Sequence, residues 1–595
     1  MSVERECGRR IQLFLLLRGP AASDSTAPPY LALALASPSP LSACARAPHP
    51  RSPSPARLAS LALAWLVASA LCSLCGCGAG ARRRKGAAPP PTVNLGWLPV
   101  VGVVRTFMRF GENPVAFILS QYLELGNCFT LPVGFGFNFT FLIGPEAHAA
   151  FYAGKDEQLS QNEPYKFMTP IFGKGVVFDA PQHIKAQQLR FIKDSIKTSS
   201  LQAYVPEIVR EAEAYFAGWG DEGECDLLEK MAELTINTAS RCLLGREVRE
   251  QFAANFASLF HDIDEGISPL AIINPNLPIP AFRRRDAARA KFAEIFSGII
   301  AARRKAEREG RAREGPSDLL AGFMAAEYRD GSKLTDDQIT GMLLGALFAG
   351  QHTSSITSTW LALKVVEQPA LFERVMAEQR HAVGAEAYAR VADAGSFGLS
   401  YATVNKMDLL HLCMKEVLRM YPPLIMLMRQ VKPYSNSQGE PVPLRVGPYE
   451  VPVGHYVFAS PAVSMNLPPG KRSKGFDADD SVFSSPEKFD PDRFSDARRE
   501  DARAWSYTAF GGGLHACLGE QFGFLQVKTI VSVLLREFDI KLLSPAPSPN
   551  YRAMVVGPTQ PLRLRYKRRT AAHAPKVDYA PVNPPAAAAN PAIAK

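Results

Sequence analysis

The stretch FGGGLHACLGEQFGFLQVKTI, residues 510–530, joins a glycine-rich loop and a cysteine to the pattern of an amphipathic helix. The glycines allow the backbone to approach a ligand closely, because they carry no Cβ. Cys517 stands where the helix is predicted to begin, so its thiolate would gain from the helix dipole and from free N–H groups. A thiolate held by N–H donors is the ligand that haem iron needs for oxygen–oxygen bond cleavage. A buried structural cysteine in a glycine loop is the competing interpretation.

A second stretch, LFAGQHTSS at residues 347–355, lies within a long apolar segment that is predicted to be one helix. Thr335 and Gln338 form a capping box at its start, and Pro369 marks its end. At 1.5 Å per residue this helix is about 50 Å long, enough to cross a domain. Small residues leave one side of it bare for something flat and bulky: Gly345, Ala349 and Gly350.

The composition predicts a large globular domain with a basic N-terminal part. Of the 595 residues, 47% are hydrophobic and 21% charged, and the net charge is +10. No acidic residue occurs between Asp24 and Glu112. The basic residues are not interleaved with aromatics as in a nucleic-acid-binding module, so we predict no nucleic-acid partner. The charge favours a membrane surface or an acidic protein partner.

The N-terminal part is predicted to precede the domain as an extension, an anchor and a hinge. Residues 1–57 are rich in Ala, Pro, Ser and Arg, which indicates a disordered or targeting extension. Residues 58–81 carry no charge and as a helix would span about 36 Å, against about 30 Å of hydrocarbon, which predicts a transmembrane anchor. Residues 82–92 contain RRRK and PPPT, a basic and Pro-rich hinge that places the following chain in the cytoplasm. A secretory signal peptide is the alternative.

Residues 93–566 are predicted to form one mainly helical domain with short strands such as those in YEVPVGHYVFAS (449–460). The Pro/Ala-rich residues 567–595 are predicted to be a disordered tail. Most of the ten cysteines are scattered, which indicates a reducing compartment rather than a disulfide framework. The cluster Cys72, Cys75 and Cys77 lacks a second ligand pair for zinc, and suits lipidation or simple apolar packing.

The glycine-rich loop resembles the haem-binding loop of the cytochrome P-450 superfamily at Phe510, Gly513, His515, Cys517 and Gly519. Three further segments resemble other motifs of that superfamily in the same order: AGQHT (349–353), EVLR (416–419) and FDPDRF (489–494). The resemblance implies a mainly α fold with small β-sheets, and a haem b whose iron is bound by Cys517. It also implies a structural ion network of Glu416, Arg419 and Arg493, whose bidentate contacts are rigid.

His352 narrows the resemblance to one subfamily. Its neighbour Thr353 corresponds to the hydroxyl that holds the reacting oxygen, and most of the superfamily places Asp or Glu at the preceding position. The histidine here resembles the sterol 14α-demethylases, in which an Asp on an earlier helix pairs with it; Asp264 in HDIDEGI (261–267) takes that place. Imidazole titrates near neutral pH and can shuttle protons. A buried histidine bonded to a backbone carbonyl is the alternative interpretation.

Further segments between residues 93 and 566 also resemble that subfamily, including YKFMTPIFGKGVVFDAP (165–181) and YPPLIMLMRQV (421–431). The resemblance implies a sterol pocket lined by Tyr165, Phe167, Met168, Phe172 and Ala349. It implies that haem propionates are held by His515, Arg429 and Lys185. Of these three residues, Lys185 matches the subfamily least well, because the subfamily's basic residue falls at the position of Ala186.

Two residues depart from the subfamily's pattern. Phe178 stands where many members have a Tyr that bonds a propionate, and Leu514 stands where an Arg usually precedes the histidine. Phe167 corresponds to the residue of enzymes that prefer sterols with one methyl at carbon 4, since its ring would crowd a second methyl. A methyl-sized difference gives about 1–3 kcal/mol of discrimination, so we expect a preference for obtusifoliol-like substrates.

The resemblance implies three successive oxidations that remove the 14α-methyl group as formate and leave a Δ14 sterol. Electrons would come from NADPH through NADPH-cytochrome P-450 reductase. The implied location is the endoplasmic reticulum membrane with a cytoplasmic catalytic domain, and a plastid or other organelle membrane is the alternative. Two other functions stay open at this stage: a haem-thiolate lyase or isomerase, and a non-catalytic haem or sterol sensor.

Overall fold

The computed structural model describes residues 87–96, 99–134, 137–251, 256–311, 318–389, 398–470, 476 and 479–583. The predicted extension, anchor and cysteine cluster before residue 87 lie outside these ranges. Within them, no helix combines the length and the apolar character needed to cross a membrane. The cysteines in these ranges are all free, as their scattered positions predicted.

Most of the described chain is helical. The α-helices are α1 (Pro99–Glu112), α2 (Pro114–Leu125), α3 (Pro145–Tyr152), α4 (Asn162–Tyr165), α5 (Thr169–Phe172), α6 (Gln182–Ser195), α7 (Thr198–Ala217), α8 (Leu227–Leu244), α9 (Arg246–Gln251), α10 (Phe256–Glu265), α11 (Pro269–Ile273), α12 (Pro280–Arg308), α13 (Leu319–Ala325), α14 (Asp336–Val366), α15 (Pro369–Val383), α16 (Ala385–Ala389), α17 (Tyr401–Asn405), α18 (Asp408–Met420), α19 (Pro461–Ser464) and α20 (Glu520–Glu537).

The strands form small sheets beside the helices. They are β1 (Cys128–Gly134), β2 (Phe137–Leu142), β3 (Leu159–Ser160), β4 (Glu222–Asp226), β5 (Leu427–Val431), β6 (Leu444–Val446), β7 (Tyr449–Val451), β8 (Tyr456–Ala459), β9 (Phe538–Leu542) and β10 (Arg563–Arg568). The sheet orders are β1-β2-β8-β5-β3, β4-β10-β9 and β6-β7. All neighbours are antiparallel except β2 and β8, which pair in parallel with Phe139 opposite Tyr456. The strands predicted within residues 449–460 are therefore confirmed as β7 and β8.

Helix α14 is the central element of the main core. Its capping box is present as predicted, since Thr335 and Gln338 each bond the other's backbone N–H. The helix ends at Val366, close to the predicted boundary. It packs against α8, α12, α18 and α20, and apolar side chains from all of them form one buried cluster. Where α5 crosses α14, a Cβ on Gly341 would lie 1.7 Å from the carbonyl oxygen of Phe172.

Helix α20 follows the cysteine loop, but it is not amphipathic as the sequence suggested. Every residue from Leu525 to Glu537 is buried, including Gln526, Lys528 and Thr529. The polar residues follow no exposed stripe because α20 lies inside the helical core, packed against α7, α14 and α18. Gln526 instead donates to the hydroxyl of Thr238 on α8, at 2.8 Å.

Both ends of the predicted domain extend further than the sequence indicated. Before it, Pro91 and Val93 hydrogen-bond to Thr130 of β1, so the end of the predicted hinge belongs to the domain. After it, β10 continues to Arg568, and the Tyr579 ring stacks on His381 of α15 at 4.0 Å. The predicted disordered tail therefore packs on the domain as far as residue 583. Its Pro/Ala-rich composition concealed a few polar and aromatic residues that make these contacts.

We predict that Gly341→Ala destabilises the protein by about 2–3 kcal/mol, because the new methyl group meets a backbone oxygen that cannot rotate away. Gly298→Ala is the matched control, since Gly298 is also inside a helix but has no atom within 4 Å of an added Cβ. Alanine there should stabilise the helix by about 0.5–1 kcal/mol. Thermal unfolding followed by circular dichroism distinguishes the two variants, and equal midpoints would contradict the close crossing of α5 and α14.

Candidate active site

The cysteine loop folds tightly onto the end of α3. Gly511 and Gly513 have φ of +70° and +64°, a left-handed conformation that favours glycine. A Cβ on Gly513 would lie 1.9 Å from the carbonyl oxygen of Tyr152, so a larger residue does not fit there. Phe510 packs beside Phe524 of α20, with the ring centroids 5.3 Å apart. The loop is thus fixed on both sides, and its glycines are needed for contact with protein as well as for space.

Cys517 lies at the open side of this loop. Its backbone N–H donates to the carbonyl of Phe510 at 2.9 Å, and its side chain is exposed on one side and enclosed by protein on the others. This enclosure raises the pKa of the thiol, although the N–H of Gly519 opposes the effect. Gly519 is the N-cap residue of α20, so its N–H is a free donor of the kind that the sequence predicted near this thiol, although the helix itself begins only at Glu520. An added positive centre such as a metal ion would be needed to favour the thiolate.

A cluster of buried basic side chains lies around Asp156. The His515 ring pairs with the Asp156 carboxylate, and the charges of Lys185 and Arg429 also act on it. Burial opposes ionisation of Asp156, but these basic groups outweigh burial and lower its pKa below the usual value. Lys185 and Arg429 are 4% and 1% exposed, so both cations are almost completely removed from water.

The cluster has more positive charge than its protein partners neutralise. Burial lowers the pKa of Lys185 to about 8, and its ammonium donates to the neutral amide of Gln161 at 2.9 Å. Arg429 donates to the carbonyl of Phe151, while its buried Nε has no hydrogen-bond partner in the described part of the chain. Ala186 is exposed on the outer side of α6. An additional carboxylate is what this cluster lacks, and Lys185 rather than residue 186 is placed to bind one.

Helix α14 exposes a short central part of an otherwise buried helix. Ala349 is exposed, and a Cβ on Gly350 would meet no atom within 4 Å. Directly after this turn, the Thr353 hydroxyl donates to the carbonyl of Ala349 at 2.6 Å. The next polar residues, Ser354 and Ser355, are buried in the core. The side that the sequence predicted to be bare is therefore partly open from Gly345 to Thr353, with Ala349 as its exposed residue and the Phe172 ring beside Gly345.

His352 and Asp264 come together as predicted. The Nε2 atom of His352 lies 3.1 Å from an Asp264 carboxylate oxygen, close enough for an ion pair but without the alignment of a hydrogen bond. Their side chains are 24% and 41% exposed, so solvent reaches the Asp264 carboxylate and part of the imidazole, although the Nε2 atom itself is buried. The rings of Phe260 and Phe348 stack on each other at 4.6 Å, and their centroids lie 6.2 and 6.0 Å from that of the imidazole. Among the residues that the structure describes, no backbone carbonyl hydrogen-bonds to this ring, in contrast to the alternative interpretation.

The aromatic residues predicted to line a pocket lie on neighbouring elements. Tyr165 stacks on Phe178 at 4.9 Å, and its hydroxyl accepts a hydrogen bond from Met428 N–H at 3.2 Å. Phe167 is buried in a small cluster with Ala271 and Phe282, to which Met168 is added at the edge. The ring of Phe172 lies beside Gly345, one helical turn before Ala349 on α14. Phe172 therefore connects this aromatic group to the exposed turn of α14.

Phe178 contacts Lys185, whereas the Tyr that many subfamily members have at this position bonds a haem propionate. The Lys185 ammonium lies 5.4 Å from the centre of the Phe178 ring, a cation–π distance. Leu514, the second departure, is 71% exposed on the surface of the cysteine loop. The two departures therefore have different surroundings: Phe178 packs beside the basic cluster, and Leu514 faces solvent.

The predicted ion network is present and completely buried. Glu416 binds Arg419 through both carboxylate oxygens at 2.7 and 3.0 Å, and Arg493 Nε binds the same carboxylate at 2.9 Å. All three side chains are 0% exposed. Glu500 is a fourth member, 2.8 Å from Arg493. Burial alone would raise the pKa of Glu500, but hydrogen bonds from Arg498, Ser484 and Arg493 lower it to about 2.

Comparison with known proteins agrees with this geometry. The family model described as Cytochrome P-450 matches residues 90–566. The sterol 14-demethylase of Arabidopsis thaliana is 42% identical over 483 residues, which cover 81% of this chain and 91% of that protein. The chain belongs to the sterol 14α-demethylase family of cytochromes P-450.

Other members and one solved structure extend the comparison. The obtusifoliol 14-alpha demethylase of Triticum aestivum is 42% identical, covering 81% of this chain and 98% of that protein. The lanosterol 14-alpha demethylase of Mus musculus is 36% identical, covering 78% and 85%. The retinoic acid bound cyanobacterial CYP120A1 superposes with a TM-score of 0.64 at 22% identity, covering 82% of this chain and all of that one, which supports the fold alone.

As a cytochrome P-450, the protein is a haem-thiolate monooxygenase, and its residues fit a haem group. Cys517 offers a sulfur ligand for the iron on an accessible side of its loop. The unpartnered Nε of Arg429 and the buried ammonium of Lys185 suit the propionate carboxylates, with His515 beside them. The small residues of α14 leave room for the flat ring system.

Sequence reasoning missed several residues of this cytochrome P-450 site. Asp156 and Gln161, which bind His515 and Lys185, lie in a loop with no periodic pattern or spaced motif. Asn466 was missed for the same reason, although its side chain accepts a hydrogen bond from Arg419 at 2.7 Å. For Glu500 a signal existed, since it lies seven residues after Arg493 in an acidic and basic run.

We predict that Glu416→Gln costs about 3–5 kcal/mol, because two buried guanidinium groups lose their shared negative partner. The variant should accumulate as insoluble protein or unfold at a clearly lower temperature. Glu294→Gln is the control: Glu294 and Lys291 are also paired at i,i+3, but both are exposed, so the midpoint should not change. Equal midpoints for Glu416→Gln and Glu294→Gln would contradict the structural role of the network.

Proposed function

We propose that the protein is a sterol 14α-demethylase that removes the 14α-methyl group as formate in three successive oxidations. The methyl group would pass through alcohol and aldehyde stages, and the product would be a Δ14 sterol. The observation that supports this most directly is the His352–Asp264 pair beside Thr353, at the exposed turn of a buried helix. The names of the relatives, which are sterol, obtusifoliol and lanosterol 14-demethylases, agree with it.

Each proposed catalytic residue has a separate role in oxygen binding or proton transfer. Bound haem supplies the oxidising chemistry at its iron, and Cys517 donates electron density to that iron. The Thr353 hydroxyl, now bonded to a carbonyl one turn earlier, is placed at the edge of the open turn and can exchange that bond for one to a ligand. His352 and Asp264 are both partly exposed, so they can take a proton from water and pass it inward. A general acid at this position is expected to accelerate turnover about 10²-fold or more.

The proposed substrate is a sterol with one methyl group at carbon 4. Phe167 is 7% exposed and packs with Ala271 and Phe282 in one buried cluster. Its ring therefore has little freedom to move away from a second methyl group at carbon 4 of a sterol. Tyr165, Met168, Phe172 and Ala349 are proposed as the remaining apolar walls. Among the relatives, the one named for obtusifoliol is more similar than the one named for lanosterol, at 42% against 36% identity.

The proposed electron donor is NADPH, acting through NADPH-cytochrome P-450 reductase. The net charge of +10 suits an acidic docking partner. Residues 58–81 are proposed as the membrane anchor, with the catalytic domain in the cytoplasm beside the endoplasmic reticulum or another organelle membrane. Sterols partition into membranes, so an anchored enzyme would meet its substrate there.

The first test is to incubate the purified protein, reductase and NADPH with equal amounts of obtusifoliol and lanosterol and to identify products by mass spectrometry. We expect Δ14 product mainly from obtusifoliol, and a shift of about tenfold towards lanosterol in Phe167→Leu, which removes the crowding ring. Mainly lanosterol product from the wild type would reject the role of Phe167. No product despite a thiolate-type carbon monoxide spectrum would reject the enzyme function and indicate a sensor. Product formed without NADPH would indicate a lyase or isomerase.

A second test addresses the proton relay. His352→Ala should slow turnover about 10²-fold while leaving the carbon monoxide spectrum and the sterol-induced spectral shift unchanged. His183→Ala is the control, because His183 is an exposed histidine at the start of α6. Turnover of His352→Ala at the rate of His183→Ala would reject the relay.

A further inference from the structure

The carboxylate of Asp264 is exposed near the end of a short helix. Asp264 is the second-last residue of α10, its side chain is 41% exposed, and the helix ends at Glu265. Backbone hydrogen bonds from Gly266 to Ile263 and from Ile267 to Asp264, at 3.0 and 2.9 Å, close this turn, but they do not orient the side chain towards His352. Side-chain contacts that fix the angle of the turn therefore matter for this pair.

Arg284 on α12 makes such contacts. Its Nε lies 3.4 Å from a carboxylate oxygen of Asp262, and its Nη2 binds Glu265. Asp262 and Glu265 are three residues apart, so they share the face of α10 that packs on α12. Asp264 lies between them in sequence and reaches the neighbouring α14. The last turn of α10 is thus held on one side by Arg284 and on the other by His352.

The next residue of α12 fixes the chain immediately after Asp264. Arg285 is 1% exposed and donates to the carbonyl of Pro275 at 2.9 Å. Its aliphatic part lies against Gly266, where a Cβ would be 2.4 Å from Arg285 Cδ. In contrast, the adjacent Arg283 is exposed, and its side chain forms no hydrogen bond or ion pair with the described residues. Of these three consecutive arginines, Arg283 faces solvent, Arg284 pairs with carboxylates of α10 and Arg285 is buried.

We propose that Arg284 is a positioning residue for the demethylation reaction, which acts by holding the carboxylate of Asp264 at His352. This inference rests on the proposed proton relay. Arg284 itself touches neither haem nor sterol; it binds Asp262 and Glu265, and Glu265 also faces His261 at 3.5 Å. Exposed ion pairs contribute little to stability, so the effect of Arg284 falls on the geometry of one helical turn rather than on folding.

The test compares Arg284→Ala with Arg283→Ala, which removes the same side chain one position earlier. We expect Arg284→Ala to turn over about three- to tenfold more slowly than the wild type, with normal haem content and normal sterol affinity. Arg283→Ala should behave like the wild type. Arg284→Lys, which keeps a positive charge in reach of both carboxylates, should recover most of the rate, a result that a simple loss of packing would not give.

A double variant shows whether Arg284 acts through Asp264. Asp264→Asn should be slow by itself, and adding Arg284→Ala should slow it no further, because the carboxylate that Arg284 positions is already gone. Slowing by the product of the two single effects would overturn the inference, as would equal rates for Arg284→Ala and Arg283→Ala. Wild-type turnover of Asp264→Asn would instead overturn the relay, and this inference with it.

Discussion

The buried carboxylate of Glu416 is the constraint that joins three distant segments of this protein. It is shared by Arg419 of its own helix and by Arg493 of a distant loop, and none of the three side chains is exposed. Removing such charges from water is costly unless each finds a partner. Arg419 also donates to backbone carbonyls of Met465 and Pro486, at 3.1 and 2.7 Å. One ion network therefore fixes α18, the loop after α19 and residues 484–500 relative to each other.

A second constraint, at the central helix, is that α14 is a core element and, in the proposed function, also a reactive surface. Most of its length is buried among apolar side chains, and Gly341 allows α5 to cross at backbone contact. Between Ile339 and Val365 it is partly open from Gly345 to Thr353, with Ala349 as its exposed residue. The buried parts on either side hold this turn in place. Asp264, the partner of His352, comes instead from the end of a short helix, where we propose that α12 positions it.

The sequence predicted those features that repeat regularly or form spaced motifs. The capping box of α14, the cysteine loop and the Glu416 network could be recognised because each depends on residues at fixed spacing. Asp156 could not, since its importance comes only from the fold placing His515, Lys185 and Arg429 around it. The helix after Cys517 was predicted correctly in position but not in burial, because a pattern of polar residues does not show whether other helices surround it.

The C-terminal boundary of the domain was also predicted incompletely from the sequence. Composition predicted a disordered tail after residue 566, but composition does not predict single contacts. His573 lies 3.2 Å from Glu373 of α15, and Tyr579 stacks on His381. Contacts of this kind arise from a few side chains in an otherwise plain segment. They are visible only once the partner surface is known.

The packed C-terminal segment has a practical consequence for engineering. Asn583 accepts a hydrogen bond from the backbone of Asp496, three residues after Arg493. A fluorescent label, affinity tag or fused electron-transfer domain placed directly after Asn583 would therefore be attached beside the loop of the Glu416 network, and not at the β-sheet that ends at Arg568.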